Sequence, residues 1–272
     1  MRYDSAMRYS PAIAVIVLLA WAHPSLAAEP PALAKARVLY NAGSFDAAIE
    51  SASQVRGDDQ FGDAAALVIG RSHLERYRLN AETPDLLASR ATLVSIRYAA
   101  LSPRDQVDLL IGLGQTLYFG EQFGAGAEQF GRALGHASIL QPRDRSRLLD
   151  WWASAWEREA QTRPPEARAA VFNRIVVKME EELAIDAANA VANYWLAAAA
   201  RGEGDLERAW DAAVAAWILA ALAPETTKSL RDDIERLVTE ALIPERARTR
   251  AQREDYGTAL RVEWERVKEN WK

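Results

Sequence analysis

The most regular pattern of apolar and polar positions lies in residues 109–133, which read LLIGLGQTLYFGEQFGAGAEQFGRA. Apolar side chains recur there at helical intervals, at Leu110, Leu113, Leu117, Phe123, Phe130 and Ala133. The polar residues 120–122 interrupt the pattern, and Gly114 and Gly126 place positions without side chains on the apolar faces. The segment therefore predicts two short amphipathic helices that fold back on each other, in close contact at the small residues.

Helical patterns continue along the rest of the chain, whereas strand patterns are nearly absent. Alternating runs of Val, Ile and Thr bounded by turns do not occur, and Ala, Leu, Glu and Arg dominate the composition. Further helices are predicted within residues 31–55, 61–77, 86–101, 141–160, 163–183, 193–216, 224–242 and 244–272. We expect an all-α protein, with an unusually long connection between the helices at 61–77 and 86–101.

Three of these helix pairs resemble the tetratricopeptide repeat, a helix–turn–helix unit of about 34 residues with large and small residues at fixed places. The similar units are residues 29–62, 107–140 and 190–223. Phe45, Phe123 and Leu206 hold the same place in them and lie about 80 residues apart, which leaves room for an irregular pair in each interval. Where the family commonly has a turn glycine, the central unit has Glu121.

The resemblance implies a right-handed, tetratricopeptide-like α-solenoid of about five to six helical hairpins over residues 28–242. The charged segment 243–272 follows, with an apolar stripe at Leu260, Trp264, Val267 and Trp271. We expect a helix that starts at Pro244 and runs to Lys272, capping the solenoid by covering the apolar face of the last hairpin. A helix that binds a partner or a membrane surface is the alternative for this segment.

Residues 1–27 have the features of a signal peptide. Arg2 and Arg8 give a basic start, and residues 12–22 form an apolar run that is shorter than the roughly 20 residues of a membrane span. Small residues two apart follow, so we expect cleavage near Ala27 and no transmembrane span afterwards. An uncleaved anchor is the alternative. The expected location is the bacterial periplasm or the medium.

The residues that carry chemistry favour neither catalysis nor a metal. The chain has no cysteine, which excludes disulfides, a lipid-modified cysteine and a cysteine nucleophile. His73 and His136 lie far apart without acidic residues at ligand spacing, so we expect no metal and no cofactor. Neighbouring helical residues point about 100° apart, so the three acids at 180–182 are poorly placed to act together in acid–base chemistry. We expect them on a solvated face instead. We expect no enzyme activity, because no acid, base and nucleophile can be brought together.

All tryptophans after residue 27 lie in the second half, at Trp151, Trp152, Trp156, Trp195, Trp210, Trp217, Trp264 and Trp271. Helical spacing places Trp152 with Trp156 on one face and Trp210 with Trp217 on another. Trp151 cannot share the face of Trp152, so one of the two is expected at solvent or a partner. The group is interpreted either as core between helix layers or as an aromatic groove for a peptide, lipid or small ligand.

In tetratricopeptide proteins, ligands usually lie on the concave surface formed by the first helix of each unit. Carried over by register, the binding positions would be Arg37, Tyr40, Asn41, Gln115, Tyr118, Phe119, Tyr194 and Arg201. The function implied is an exported helical-repeat scaffold that binds another protein or peptide in the bacterial cell envelope. The alternative is a periplasmic solute- or lipid-binding component of a transport system with a tryptophan-lined pocket. The net charge of −5 disfavours nucleic acid as a partner.

Overall fold

The computed structural model describes residues 28–136, 138–222 and 228–271. All regular structure in these ranges is helical, and helices that follow each other in the sequence pack against each other. The all-α prediction is therefore confirmed. The predicted signal peptide, the helix start predicted at Pro224 and the last residue, Lys272, lie outside the described residues.

The helices are α1 (Pro31–Asn41), α2 (Phe45–Ser53), α3 (Gly62–Asn80), α4 (Thr83–Val94), α5 (Pro103–Phe119), α6 (Phe123–Leu134), α7 (Pro142–Thr162), α8 (Pro165–Ile185), α9 (Ala190–Glu203), α10 (Leu206–Leu222), α11 (Lys228–Arg236), α12 (Ile243–Arg248) and α13 (Arg253–Asn270). A 3₁₀ turn at Tyr98–Ala100 follows α4, and a π-helical turn at Leu237–Leu242 joins α11 to α12. Proline stands in the first turn of α1, α4, α5, α7 and α8, where its missing N–H is not needed.

The pairs α1–α2, α5–α6 and α9–α10 are joined by the same type of turn. A residue with a left-handed backbone follows the first helix in each pair, with φ of 75° at Gly43, 58° at Glu121 and 88° at Gly204. The next N–H then donates over 2.9 Å to the carbonyl oxygen five residues back, from Ser44 to Leu39, Gln122 to Leu117 and Asp205 to Ala200. These bonds satisfy carbonyl groups that the helix end would otherwise leave without a partner.

The second helix of each pair begins directly after this turn, at Phe45, Phe123 and Leu206. The three residues therefore hold the same place relative to the turn. A ring contact across the turn recurs as well, because Tyr40 lies edge-on to Phe45 at 5.7 Å and Tyr118 lies edge-on to Phe123 at 5.3 Å.

Large side chains fill the space that glycines leave between neighbouring helices. An added Cβ atom would lie 2.5 Å from the Phe130 ring at Gly114, 2.7 Å from Leu93 at Gly70 and 2.6 Å from the Phe172 ring at Gly202. Real Cβ atoms do not approach other atoms this closely. The close contact predicted at Gly114 is confirmed, and the same device fixes α3 against α4 and α9 against α8.

The prediction of a long connection between the helices at 61–77 and 86–101 is wrong. Helix α3 continues to Asn80 and α4 begins at Thr83, so two residues join them. This is possible because Ala81 adopts a left-handed backbone with φ of 56° and donates its N–H to Tyr77 over 2.7 Å. The apolar pattern stops earlier than the helices because the residues around this turn are exposed. At its other end, α4 stops at Val94 rather than at residue 101.

The single helix predicted from Pro244 to Lys272 is also wrong. Pro244 lies inside a helical segment that runs from α11 through the π turn to α12, and the chain then turns at residues 249–252 before α13. Proline has no N–H, and its ring crowds the carbonyl group four residues back. The wider π turn just before Pro244 moves that carbonyl away, so the helix continues.

Most tryptophans form the core between helices. Trp152 and Trp156 are buried on one face of α7, with ring centroids 6.4 Å apart. Trp264 of α13 is buried against α10, at 6.3 Å from Trp210 and 5.2 Å from Trp217. The shared faces predicted for the two tryptophan pairs are confirmed, and α13 covers an apolar face of α10.

Glu182 does not lie on the solvated face predicted for residues 180–182. Its side chain is 3 % exposed, and Arg145 donates to both carboxylate oxygens, over 3.0 Å from Nε and 2.7 Å from Nη2. Lys178 Nζ lies 3.1 Å from the same carboxylate, and Arg145 also reaches the carbonyl oxygen of Leu134 over 3.3 Å. Burial raises the pKa of Glu182, but the bonds from Arg145 and Lys178 outweigh it and hold the pKa below its usual value. This carboxylate ties α8 to α7 and to the end of α6.

We predict that Glu182→Gln lowers the free energy of unfolding by about 1–3 kcal/mol at pH 7, because it uncharges a paired, buried group. The folded-state pKa is lowered, so this stability is present above the unfolded pKa near 4.5 and is lost as the pH falls through the folded value. Urea denaturation of both proteins between pH 7 and pH 3 measures the difference. It should shrink in acid, and the exposed neighbour change Glu181→Gln should have little effect. A difference that does not depend on pH would contradict the charge explanation.

We predict that Gly114→Ala destabilises the protein by about 1–3 kcal/mol despite the better helix propensity of alanine, because its methyl group overlaps the Phe130 ring. Thermal unfolding of Gly114→Ala, Phe130→Leu and the double variant measures the coupling of the two sites. In the Phe130→Leu background the added methyl should cost less or become favourable. Equal costs in both backgrounds would show that the two residues do not compete for space.

Candidate functional site

A cleft of about 790 Å³ crosses α1, α3, α5 and α7. Each of these is the first helix of a pair, and the second helices α2, α4, α6 and α8 contribute no lining residue. Half of the binding positions expected from the sequence line this cleft: Arg37, Tyr40, Asn41 and Gln115. The faces of the first helices that are turned away from their partners therefore form one continuous surface.

A chain of polar contacts crosses the cleft from α1 to α7. The Arg71 guanidinium lies 5.1 Å from the centre of the Tyr40 ring and 3.1 Å from Asp108. Arg104 bridges Asp108 at 3.4 Å and Asp144 at 3.6 Å. Burial lowers the pKa of Arg71, but the interactions with Tyr40 and Asp108 raise it by more, so the net shift of the pKa is upward. The Arg71 guanidinium is thus held charged and in place by Tyr40 on α1 and Asp108 on α5.

Arg37 lies at the α1 end of the cleft, but its donors are largely used by the fold. It donates to both oxygens of Asp105, over 2.9 and 3.0 Å, and its Nε donates to Glu29 over 2.8 Å. Asp105 is buried in the first turn of α5, where it also accepts a bond from Ser102 over 2.9 Å. Arg37 therefore fastens α1 to the start of α5 as well as lining the cleft.

An aromatic wall stands where α5 meets α7. The Trp151 ring lines the cleft, and the rings of Tyr118 and Phe119 contact it edge-on at 5.2 and 5.8 Å. The Tyr118 hydroxyl pairs with Ser154 over 3.1 Å, and the Arg78 guanidinium lies 5.9 Å from the centre of Trp151. Tyr118 and Phe119 thus lie behind the lining and support Trp151, which is the half-buried member of the Trp151–Trp152 pair.

Gln115 lines the cleft but is buried, although an exposed position was expected. It is 6 % exposed, and its Oε1 atom has no hydrogen-bond partner within the described residues. More than 90 % of buried polar groups in proteins have a partner, and leaving one unmatched is costly. The Oε1 atom of Gln115 is therefore an unmatched hydrogen-bond acceptor within the lining of the cleft.

On the α7 side of the cleft, one positive charge has no counterpart. Arg147 is exposed, lines the cleft and forms no ion pair within the described part of the chain. Asp150 lies one turn further along, where its Oδ1 accepts a 2.9 Å bond from Trp195. The loss of surrounding water raises the pKa of Asp150, and the bond from Trp195 opposes this rise. The carboxylate of Asp150 is thus engaged with α9 rather than with Arg147.

Two of the expected binding positions, Tyr194 and Arg201, lie on α9 and do not line the cleft. Tyr194 packs against Trp195 at 5.1 Å, and burial, reinforced by nearby carboxylates such as Asp233, raises its pKa well above the usual value. Arg201 donates to both oxygens of Glu245 over 2.9 and 2.6 Å. The Arg201–Glu245 pair joins α9 to α12, and Tyr194 packs within the neighbourhood of Trp195 on α9, so neither residue belongs to the cleft.

The sequence pattern did not indicate what α3 and α7 contribute to the cleft. These helices belong to the irregular pairs, to which no register was carried, and they supply Arg71, Arg78 and Arg147. The usable signal was helical spacing, because Arg71 and Arg78 lie seven residues apart on one face of α3. Arg147 and Trp151 are likewise one turn apart on α7.

His73 and His136 serve local packing. His73 Nδ1 lies 2.8 Å from the buried carboxylate of Asp85, and His136 Nε2 lies 3.5 Å from the hydroxyl of Tyr98. Within residues 28–136, 138–222 and 228–271, no three His, Asp or Glu side chains are grouped as metal ligands. In the same ranges, every helix is too short or too polar to cross a membrane.

The cleft is thus a mixed-charge surface that is lined by arginines such as Arg71, Arg104 and Arg147, by the Trp151 ring and by Gln115 with its unmatched Oε1. A scan against protein families and a search of curated proteins both find no match to this chain. Any proposal about function must therefore be argued from the structure of the cleft.

Proposed function

We propose that this protein is an exported helical-repeat scaffold of the bacterial cell envelope that binds another protein through the cleft. The observation that carries the proposal is that the cleft crosses four successive first helices, from α1 to α7. Its lining alternates charged, aromatic and aliphatic side chains, of which Arg71, Trp151 and Ile111 are examples. Such a mixture is typical of surfaces that recognise polypeptides.

The extent of the cleft favours an extended ligand. Neighbouring packed helices lie about 9 Å apart, so four helices in a row span about 27 Å. An extended chain covers about 3.3 Å per residue, so this distance accommodates about eight residues. The volume of about 790 Å³ lies within the range of ligand sites, and its distribution over four helices matches a chain better than a compact metabolite.

The proposal includes a right-handed, tetratricopeptide-like solenoid. Its support is the turn that recurs at Gly43, Glu121 and Gly204 with the same hydrogen bonds. A solenoid needs a terminal element that covers its last apolar face. The burial of Trp264 of α13 against α10 supports this role for the C-terminal segment.

The alternative, a solute- or lipid-binding protein with a tryptophan-lined pocket, has weaker support. Six tryptophans are buried in the core: Trp152, Trp156, Trp195, Trp210, Trp217 and Trp264. Trp151 is the tryptophan that lines the cleft. An apolar solute would also have to displace water from several guanidinium groups there, which is unfavourable.

We predict that a photoreactive amino acid placed at Asn41 or Arg147 crosslinks a discrete partner protein in cells that produce this chain naturally. Both residues line the cleft and are exposed, so the substitution does not disturb the fold. Mass spectrometry of the adducts identifies the partner.

Leu87 on α4 and Val177 on α8 are the matched control positions. They are 60 % and 47 % exposed and do not line the cleft. The partner band should be absent or much weaker there. Equal adducts from cleft and control positions, or none from the cleft, would refute the assignment of the cleft as the binding surface.

A further inference from the structure

We infer that the cleft binds an extended peptide segment with an acidic side chain, in which Gln115 pairs with the peptide backbone and Arg147 with the acidic group. This inference rests on the proposed function and names the ligand chemistry of the same cleft. Its basis is the pair of polar groups in the lining that the fold leaves unmatched, one neutral and one charged.

The neutral group is the amide of Gln115, whose buried Oε1 atom has no partner within the described residues, so the amide must turn toward the cleft to pair with a ligand. A side-chain amide has a carbonyl acceptor at one end and N–H donors at the other. A peptide group offers the complementary acceptor and donor together, so it can satisfy the amide in either orientation. A ligand with acceptors alone would leave Oε1 unmatched. Gln115 is therefore suited to hold a backbone irrespective of the peptide's side chains.

The charged group is the guanidinium of Arg147. The neighbouring arginines already have acids, because Asp108 is shared by Arg71 and Arg104, and Arg104 also reaches Asp144. Arg147 has no such partner in the described ranges, and the bond from Trp195 engages Asp150. A guanidinium presents two parallel N–H groups that match the two oxygens of a carboxylate. An Asp or Glu side chain of the ligand thus completes the charge balance at α7.

Trp151 indicates a peptide rather than a free small anion. Its half-buried ring lies one turn from Arg147 on α7, and the rings of Tyr118 and Phe119 hold it in place. A rigid indole gives contact area at a low entropy cost. A small carboxylate could contact Arg147 but would leave this ring and Gln115 unused. A chain that crosses from α5 to α7 contacts all three.

The test is the retention of a peptide library by the immobilised full-length protein. The library contains random peptides of roughly eight residues, the length that the cleft accommodates, with both ends capped so that only side chains carry charge. We expect Asp and Glu to be enriched about fivefold or more among the retained peptides. Arg147→Gln should abolish this enrichment, whereas the same change at the exposed residue Arg143, which does not line the cleft, should preserve it.

Gln115→Leu separates backbone binding from folding. It removes an unmatched buried amide, so the melting temperature should stay the same or rise. Retention of all peptides should fall, whatever their charge. A purely structural Gln115 would instead show a lower melting temperature and unchanged retention.

Three results would overturn the inference: no acidic enrichment, enrichment that survives Arg147→Gln, or elution of the peptides by free glutamate at the concentration of the library. The last result would assign a small-anion site. The crosslink at Asn41, a residue with no role in this inference, reports the proposed function independently. If it persists while the library shows no acidic preference, the scaffold function stands and the ligand chemistry is wrong.

Discussion

The close approach of neighbouring helices at glycines is the constraint on which the rest of the structure depends. Gly70, Gly114 and Gly202 leave sockets, and Leu93, Phe130 and Phe172 fill them. Protein interiors are packed nearly as densely as organic crystals, so even one added methyl group would force helices apart. The sockets fix how each helix crosses its neighbour, and they thereby decide which face of the first helices remains uncovered.

The cleft is a consequence of this arrangement. Helices α1, α3, α5 and α7 use one face for their partners, and the remaining faces lie side by side. Charged residues on those faces are too close to remain independent, so Arg71 pairs with Asp108 between α3 and α5, and Arg104 pairs with Asp144 between α5 and α7. These pairs hold the arginines in position, which would lower the entropy cost of binding the proposed ligand. The same side chains therefore join the helices and shape the surface.

The sequence predicted the parts of the fold that depend on local periodicity. The helix pairs, their turns and the contact at Gly114 follow from spacing and small residues. The environment of Glu182 and the continuation of the helix through Pro244 depend on a distant arginine and on a π turn, neither of which leaves a periodic signal. The lining of the cleft shows the same dependence on periodicity. Lining residues on α1 and α5 were expected from the repeat register, whereas those on α3 and α7 were missed because these helices belong to irregular pairs.

Glu182 and Gln115 show how the buried polar groups divide between fold and function. The oxygens of Glu182 are all engaged by Arg145 and Lys178, so this residue holds helices together. Gln115 is nearly as buried, yet its amide is unmatched and lies in the cleft lining. The other buried polar atoms without a partner in the described ranges, such as those of Ser72 and Trp217, lie away from this lining. Leaving an amide unmatched costs stability, which a ligand that supplies the missing bond would recover on binding. In the function proposed above, the unmatched Oε1 of Gln115 belongs to a surface that a partner completes.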